Sequence, residues 1–354
     1  ARTGETERIG KLLYVTGKKQ EETMGITAGD IGVITKLNNC STGDTLCDPS
    51  RVVSVPHIKF PKPTFSMALV PKNKGDEGKV AQGILKLMQE DRSIDYENNV
   101  ETKQQLLKGL GEQHLDIIIT KLKNKFGAEV TLVKPRVPYR ETIRKKVKVE
   151  GKHKKQTGGH GQYGHVWIEF EPCDSEGLVF EEKIFGGSVP KGYFPAVEKG
   201  LSDCIEKGVL AGYPVVGLKA TLLDGSYHPV DSSEMAFKMA ASLAYKAGMP
   251  QANPVLLEPI GTLNAIVPDT NTGDLMGELN KRRGRILGMN PTDDGMQEIT
   301  ADIPLSETYD LTTFIRSVTQ GRGSFTLEFA RYEQLPNELT DKVVEEAKSL
   351  FEKN

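Results

Sequence analysis

The chain has 354 residues, enough for two to four domains, each with its own core. Its 46 Lys and Arg against 48 Asp and Glu leave a formal net charge of −2, and this balance argues against a chain-wide polybasic nucleic-acid binder. No apolar run approaches the roughly 18 residues of a membrane span, and no signal-peptide pattern opens the chain. The cysteines at 40, 47, 173 and 204 show neither a C-x-x-C pair nor zinc-ligand spacing, so no disulfide framework is expected and a reducing, cytoplasmic compartment is. Ala1 begins on strand-like text with no domain start, and a longer parent protein is expected.

In chain order, residues 1–55 predict short strands at 9–15, 31–35 and 45–46, separated by the turns Ala28-Gly29-Asp30 and Ser41-Thr42-Gly43-Asp44. So many turns in so short a stretch predict part of a β-barrel. Pro56, Pro61 and Pro63 then mark a linker. A strand at 65–70, a helix at about 77–90, strands near 93–97 and 104–108, a second helix capped by Gly127 and a strand at 128–133 follow. That βαββαβ order is ferredoxin-like. It recurs at the end: strand 254–267, helix 272–283 ended by Gly284, strands 285–289 and 297–303, helix 309–319 and strand 323–329. Between the two lies a block with strands at 166–170 and 215–223 and helices at 195–207 and 232–247, the last expected to bury Met235, Met239, Leu243 and Ala247. The expected fold is therefore α+β and multidomain. A partial barrel (1–55) precedes a ferredoxin-like domain (56–138), a central α+β domain (139–253), a second ferredoxin-like domain (254–335) and a terminal helix (336–354).

Two glycine-studded segments stand out, 156–166 with Gly158, Gly159, His160, Gly161, Gln162 and Tyr163, and 224–234 with Tyr227 and His228. Glycine permits close backbone approach, and His and Tyr can stack or hydrogen-bond. Neither segment holds a nucleophile with its base or a metal-ligand spacing. Just upstream, eight Lys or Arg fall between Arg140 and Lys155 against only Glu141 and Glu150. That run suits either a solvated strand pair or an electrostatic guide toward phosphate. Asp231 and Glu234 carry a capping signature for the following helix. Glu112 and His114, two apart, do not share a helix face and are not expected to bind metal. Asn73-Lys74-Gly75-Asp76 matches a guanine-reading pattern, but the chain contains no G-x-x-x-x-G-K-[ST] phosphate loop, so it is expected to be a polar helix start.

The two loops, the Thr-Gly-Asp-Thr-Leu run at 42–46, the Gly109-Leu-Gly-Glu-Gln-His-Leu115 turn and the flanking βαββαβ units resemble bacterial translation elongation factor G, from late domain II through domain V. The resemblance implies that 156–166 and 224–234 are the tip loops of domain IV, facing tRNA and mRNA in the decoding region. It implies rRNA-phosphate contacts by Lys145, Lys146, Lys152, Lys154, Lys155, Arg283 and Arg322, and a translocation role for His228, expected as a neutral ring. The implied partners are the ribosome (rRNA and ribosomal proteins), tRNA and mRNA, bound by a monomer without membrane association. No catalytic residue, metal or cofactor is expected in this portion, since GTP and Mg²⁺ belong to a G domain that this sequence lacks. Pro229 departs from the acidic residue usual after that histidine and puts ordinary translocation efficiency in doubt. The alternatives are a paralogue specialised for ribosome recycling or tetracycline protection, a stand-alone RNA-binding module, and a nucleotide hydrolase built on Asn73 to Asp76.

Overall fold

Residues 1–155, 161–292 and 294–351 are described by the computed structural model. The chain divides into one unit of Ala1–Asn99 with Lys103–Pro135, and another of Val100–Thr102 with Arg136–Asn354. The first unit opens with β1 (Leu12–Thr16), β2 (Lys19–Thr23) and β3 (Val33–Ile34), an antiparallel sheet in the order β2-β1-β3. The sheet is open and does not close into a barrel, and Thr45-Leu46 forms no strand. The reason is burial. Leu13 is the one buried residue of 1–55, so these strands have no interior of their own to close around.

The ferredoxin-like expectation for the next stretch holds. It contains β4 (Phe65–Pro71), α1 (Glu77–Glu90), β5 (Asp95–Asn99), β6 (Gln104–Gly109), α2 (Glu112–Phe126) and β7 (Val130–Val133), with sheet order β5-β6-β4-β7. Phe65, Met67 and Leu69 alternate inward and meet Val80, Ile84 and Leu87 of α1 and Leu115, Ile118 and Leu122 of α2. Gly127 ends α2 at φ 60, its N–H bonded to Lys123 O. Asn73 Nδ2 donates to Asp76 Oδ2 (3.2 Å) at the start of α1, as suits a polar helix start. His114 is a turn fastener: its Nδ1 accepts from Leu110 N–H (3.1 Å) and its Nε2 lies 3.0 Å from Asp91.

In the second unit, β8 (Arg140–Ile143) leads into β9 (Val147–Lys155), β10 (Gln162–Pro172), β11 (Leu178–Glu182), α3 (Phe194–Ile205), β12 (Leu218–Ser226) and α4 (Glu234–Gly248). The sheet order is β11-β12-β10-β9, with only β11 and β12 parallel. Then come β13 (Pro254–Pro268), α5 (Thr272–Lys281), β14 (Arg285–Pro291), β15 (Met296–Pro304), α6 (Leu311–Val318), β16 (Ser324–Gln334) and α7 (Asn337–Phe351). Their order β14-β15-β13-β16 repeats the ferredoxin-like arrangement, and β8 adds a fifth strand by pairing with β13. Val343 and Ala347 of α7 share a core cluster with Tyr139, Ala211, Leu256 and Leu335, which fastens the terminal helix to the rest of the unit. Helix α5 stops at Lys281, two residues before the expected end, and the left-handed residue after it is Arg283 (φ 59). Gly284 donates its N–H to Leu279 O (2.7 Å), and a Cβ there would lie 2.8 Å from that same oxygen.

The face that α4 buries also differs from expectation. Met235, Met239 and Leu243 are 61%, 41% and 38% exposed, and Ala247 is exposed too. Ala236, Phe237, Ala240, Ala241, Ala244 and Tyr245 are buried instead, between the sheet and α3. Size decides this. Gly151 of β9 and Gly164 of β10 clear a track on the sheet, and the small residues of α4 settle into it. A Cβ on Gly151 would overlap the Ala240 carbonyl oxygen and lie 2.7 Å from Ala244 Cβ; one on Gly164 would lie 2.9 Å from Phe237 N. Gly151→Ala is therefore expected to cost about 1–3 kcal/mol by overpacking, against about 0.5 kcal/mol or less for Met239→Ala on the outer face. Paired thermal melts test this, and equal melting points for the two variants would contradict the seam.

Candidate nucleic-acid interface

The strands β9 and β10 form a hairpin in which Lys155 pairs with Gln162, Lys154 with Tyr163 and Lys152 with His165. The first expected loop is thus shorter than 156–166, because Gln162 to Val166 are strand. Gly158, Gly159 and His160 lie outside the described residues. Period-2 alternation directs Gly164, Val166 and Ile168 toward α4 and leaves Tyr163, His165 and Trp167 on the outer face.

The second loop is likewise trimmed, since β12 extends through Ser226. What remains is fastened to the start of β10. Asp231 Oδ1 accepts from Gly161 N–H (3.0 Å), and Asp231 O accepts from Tyr163 N–H (2.8 Å). Ser232 Oγ donates to Tyr163 O (2.9 Å) and accepts from His228 N–H (2.8 Å). The cap of α4 is Ser233, whose Oγ accepts from Ala236 N–H (3.2 Å). This corrects the assignment of Asp231 as the cap: its carboxylate is spent joining the two loops. Glu234 opens the helix as a first-turn acid, favourable to its dipole, without a capping-box partner.

His228 is half exposed, with 52% of its side chain accessible. Its Nδ1 accepts from the N–H groups of Val230 (3.3 Å) and Asp231 (3.1 Å). With Nδ1 engaged by those amides and 3.5 Å from Asp231 Oδ2, Nε2 is the ring nitrogen left to donate. Tyr163 lies tilted against it, with centroids 6.4 Å apart, and Tyr227 is exposed beside it. Ser226, which sequence reasoning does not single out, links this group to the sheet: its Oγ is 2.7 Å from both Tyr163 Oη and His165 Nδ1, while His165 Nε2 lies 2.9 Å from Glu150. A Ser–His–Glu series of this kind invites comparison with a nucleophile site. The neighbouring amides are already engaged, however, Gly225 N–H by Asp224 Oδ1 and His228 N–H by Ser232 Oγ, leaving neither to stabilise an oxyanion.

The basic residues separate into two groups. Lys146 is held by Glu169 (2.7 Å) and Glu171 (3.2 Å), and these hydrogen bonds raise its ammonium above the ordinary value. Arg283 makes two bonds to Glu258 (2.6 and 2.8 Å) and reaches Glu307 (3.2 Å). Neither is free for phosphate, contrary to expectation. Lys145, Lys152, Lys154 and Lys155 are exposed, with no ion pair among the described residues, and Arg322 is exposed with its Nε 3.4 Å from Thr319 O. Lys148 sits 5.5 Å from the Trp167 ring centroid. Lys146 is thus matched by carboxylates near Glu171, whereas Lys152, Lys154 and Lys155 approach the two loops without one; Lys145, likewise without one, lies near the opposite end of β9. Sequence spacing alone could not sort them, because the partners are cross-strand.

Three family models match consecutive stretches: elongation factor G domain III at residues 60–134, domain IV at 135–253 and the C-terminus at 255–343. This chain belongs to the elongation factor G family. A crystal structure of a Thermus thermophilus protein is similar to this elongation factor G-like chain at 40% identity and a TM-score of 0.80, covering 98% of the chain. The chain spans about half, 52%, of that protein's length. Within the family frame, the clasped loops and the lysine-bearing hairpin all belong to domain IV. Among the described residues no helix is long and apolar enough to cross a membrane, and no group of three or more His, Cys, Asp or Glu is placed to hold a metal ion.

Proposed function

We propose that this chain is the ribosome-engaging part of a translocating elongation factor G, and that its domain IV tip presses on tRNA and mRNA while GTP is hydrolysed in a separate G domain. The observation that carries this reading is the convergence at one end of the domain IV sheet: His228, held by amides of its own loop, which Ser232 fastens to Tyr163, beside uncompensated Lys152, Lys154 and Lys155. Such a surface suits contact with a polyanion that must be pushed and not cut. Positive charge supplies attraction without sequence reading, and a preorganised loop transmits force because its bonds are made before contact. On this reading the portion performs no chemistry and holds no cofactor; its contribution is shape and charge.

The test is the salt dependence of ribosome binding. Replacing Lys152, Lys154 and Lys155 together by Gln is expected to flatten the slope of log affinity against log salt by about 2–3, roughly one for each phosphate no longer neutralised. Lys146→Gln is expected to leave the slope unchanged, since its charge is already matched by Glu169 and Glu171. Equal effects from both variants would remove the distinction on which this assignment of phosphate contacts stands.

A further inference from the structure

A third loop reaches the tip end of the domain IV sheet. Strand β11 runs parallel to β12 with Glu182 opposite Leu222, and Lys183 N–H continues the pairing to Leu222 O (2.8 Å). On the far side of the loop Val189 is buried, its Cγ2 within 2.6 Å of where a Cβ on Gly225 would lie. The segment is therefore anchored at both ends against the same strand that delivers His228. Between the anchors Phe185 stands 94% exposed. Gly186 and Gly187 follow at φ 69 and 70, and nothing lies within 4 Å of a Cβ at either. Lys183 and Lys191 flank the loop, both exposed and with no ion pair among the described residues; the carboxylate of Glu182, just ahead of Lys183, accepts from Ile184 N–H (3.3 Å).

We propose that Phe185 is a stacking platform for an unpaired RNA base, with Lys183 and Lys191 on the adjoining phosphates. The proposal rests on the reading of the tip as an RNA-facing surface and adds a contact on a different loop. An exposed aromatic ring beside cations is the combination that binds single strands with little sequence preference, because every base offers a π face. The two glycines let the backbone lie close to a ribose-phosphate chain. A protein partner would call for a wider apolar patch, whereas the apolar neighbours of Phe185 along the loop, Ile184 and Val189, pack on the core and the rest are glycines, Ser188 and Lys183.

Ribosome binding by the full chain tests this with three substitutions at one position. Phe185→Ala is expected to weaken binding about ten- to hundredfold, the range for losing one stacked base. Phe185→Trp should bind at least as tightly as the parent chain, and Phe185→Leu should fall with Ala, because an aliphatic side chain cannot stack. None should change the salt slope, whereas Lys183→Gln with Lys191→Gln should flatten it. Melting points should stay level throughout, since Phe185 is almost wholly exposed. If Leu keeps the affinity that Ala loses, the ring enters an apolar protein pocket and the proposal is overturned. If Ala binds like the parent while the Lys152, Lys154 and Lys155 variant still flattens the slope, the stacking contact fails and the wider tip assignment stands. A parent chain that does not bind ribosomes overturns both.

Discussion

Arg283→Ala is expected to destabilise the protein by about 3–5 kcal/mol, the range for removing one partner of a buried ion pair. Glu258 is 2% exposed, and its carboxylate takes both of its charge-assisted bonds from the Arg283 guanidinium. Without the arginine a nearly buried carboxylate loses both of its charge-assisted bonds, and Arg285 and Arg331, which line the same cavity, are the cations left near it. For a unit of this size the melting point should fall on the order of 10 °C. Adding Glu258→Gln to Arg283→Ala should recover much of the loss, because the unpaired charge is then gone. The salt slope of ribosome binding should not move. A level melt with a flatter slope would instead put Arg283 on phosphate, as its place in an Arg-Arg-Gly-Arg turn suggests when seen without its partners.

His228→Ala, introduced into the full-length factor, is expected to slow translocation about 10- to 100-fold while GTP hydrolysis on the ribosome stays near normal. The magnitude corresponds to a hydrogen bond from Nε2–H to a charged or strongly polar acceptor, worth about 1.5–3 kcal/mol if it is made only as the RNA moves. The backbone amides that the ring engages, those of Val230 and Asp231, lie on an exposed loop where water can replace it. The melting point should accordingly change little, by about 0.5 kcal/mol or less in stability. Single-turnover translocation measured alongside GTP hydrolysis and thermal melts separates the outcomes. An early melt would make His228 structural, and a normal translocation rate would make it idle. Asp231→Ala provides a contrast: it releases Gly161 N–H and leaves the loops joined only through the Tyr163 backbone, so it should slow translocation without removing the donor itself.

Much of this architecture was legible in the sequence because it is written locally. The two βαββαβ orders follow from apolar periodicity that switches between 2 and 3.6, and Gly127 marks a helix end because a left-handed residue is needed there. The family was legible from its residues. Other features depended on residues far apart in the chain. Hydrophobicity put Met235, Met239 and Leu243 inside, but the sheet presents Gly151 and Gly164, and only the alanines of α4 can approach backbone that closely. Asp231 has the text of a helix cap, yet Gly161, seventy positions earlier, claims its carboxylate. The basic run from Arg140 to Lys155 is uniform as text, while strand register gives Lys146 two carboxylates and leaves Lys152 and Lys154 without one. Periodicity and turn chemistry are properties of neighbours along the chain, so the sequence by itself determined the elements and their order. Helix faces, free charges and loop fastenings are set by partners across it, and those only the tertiary structure could decide.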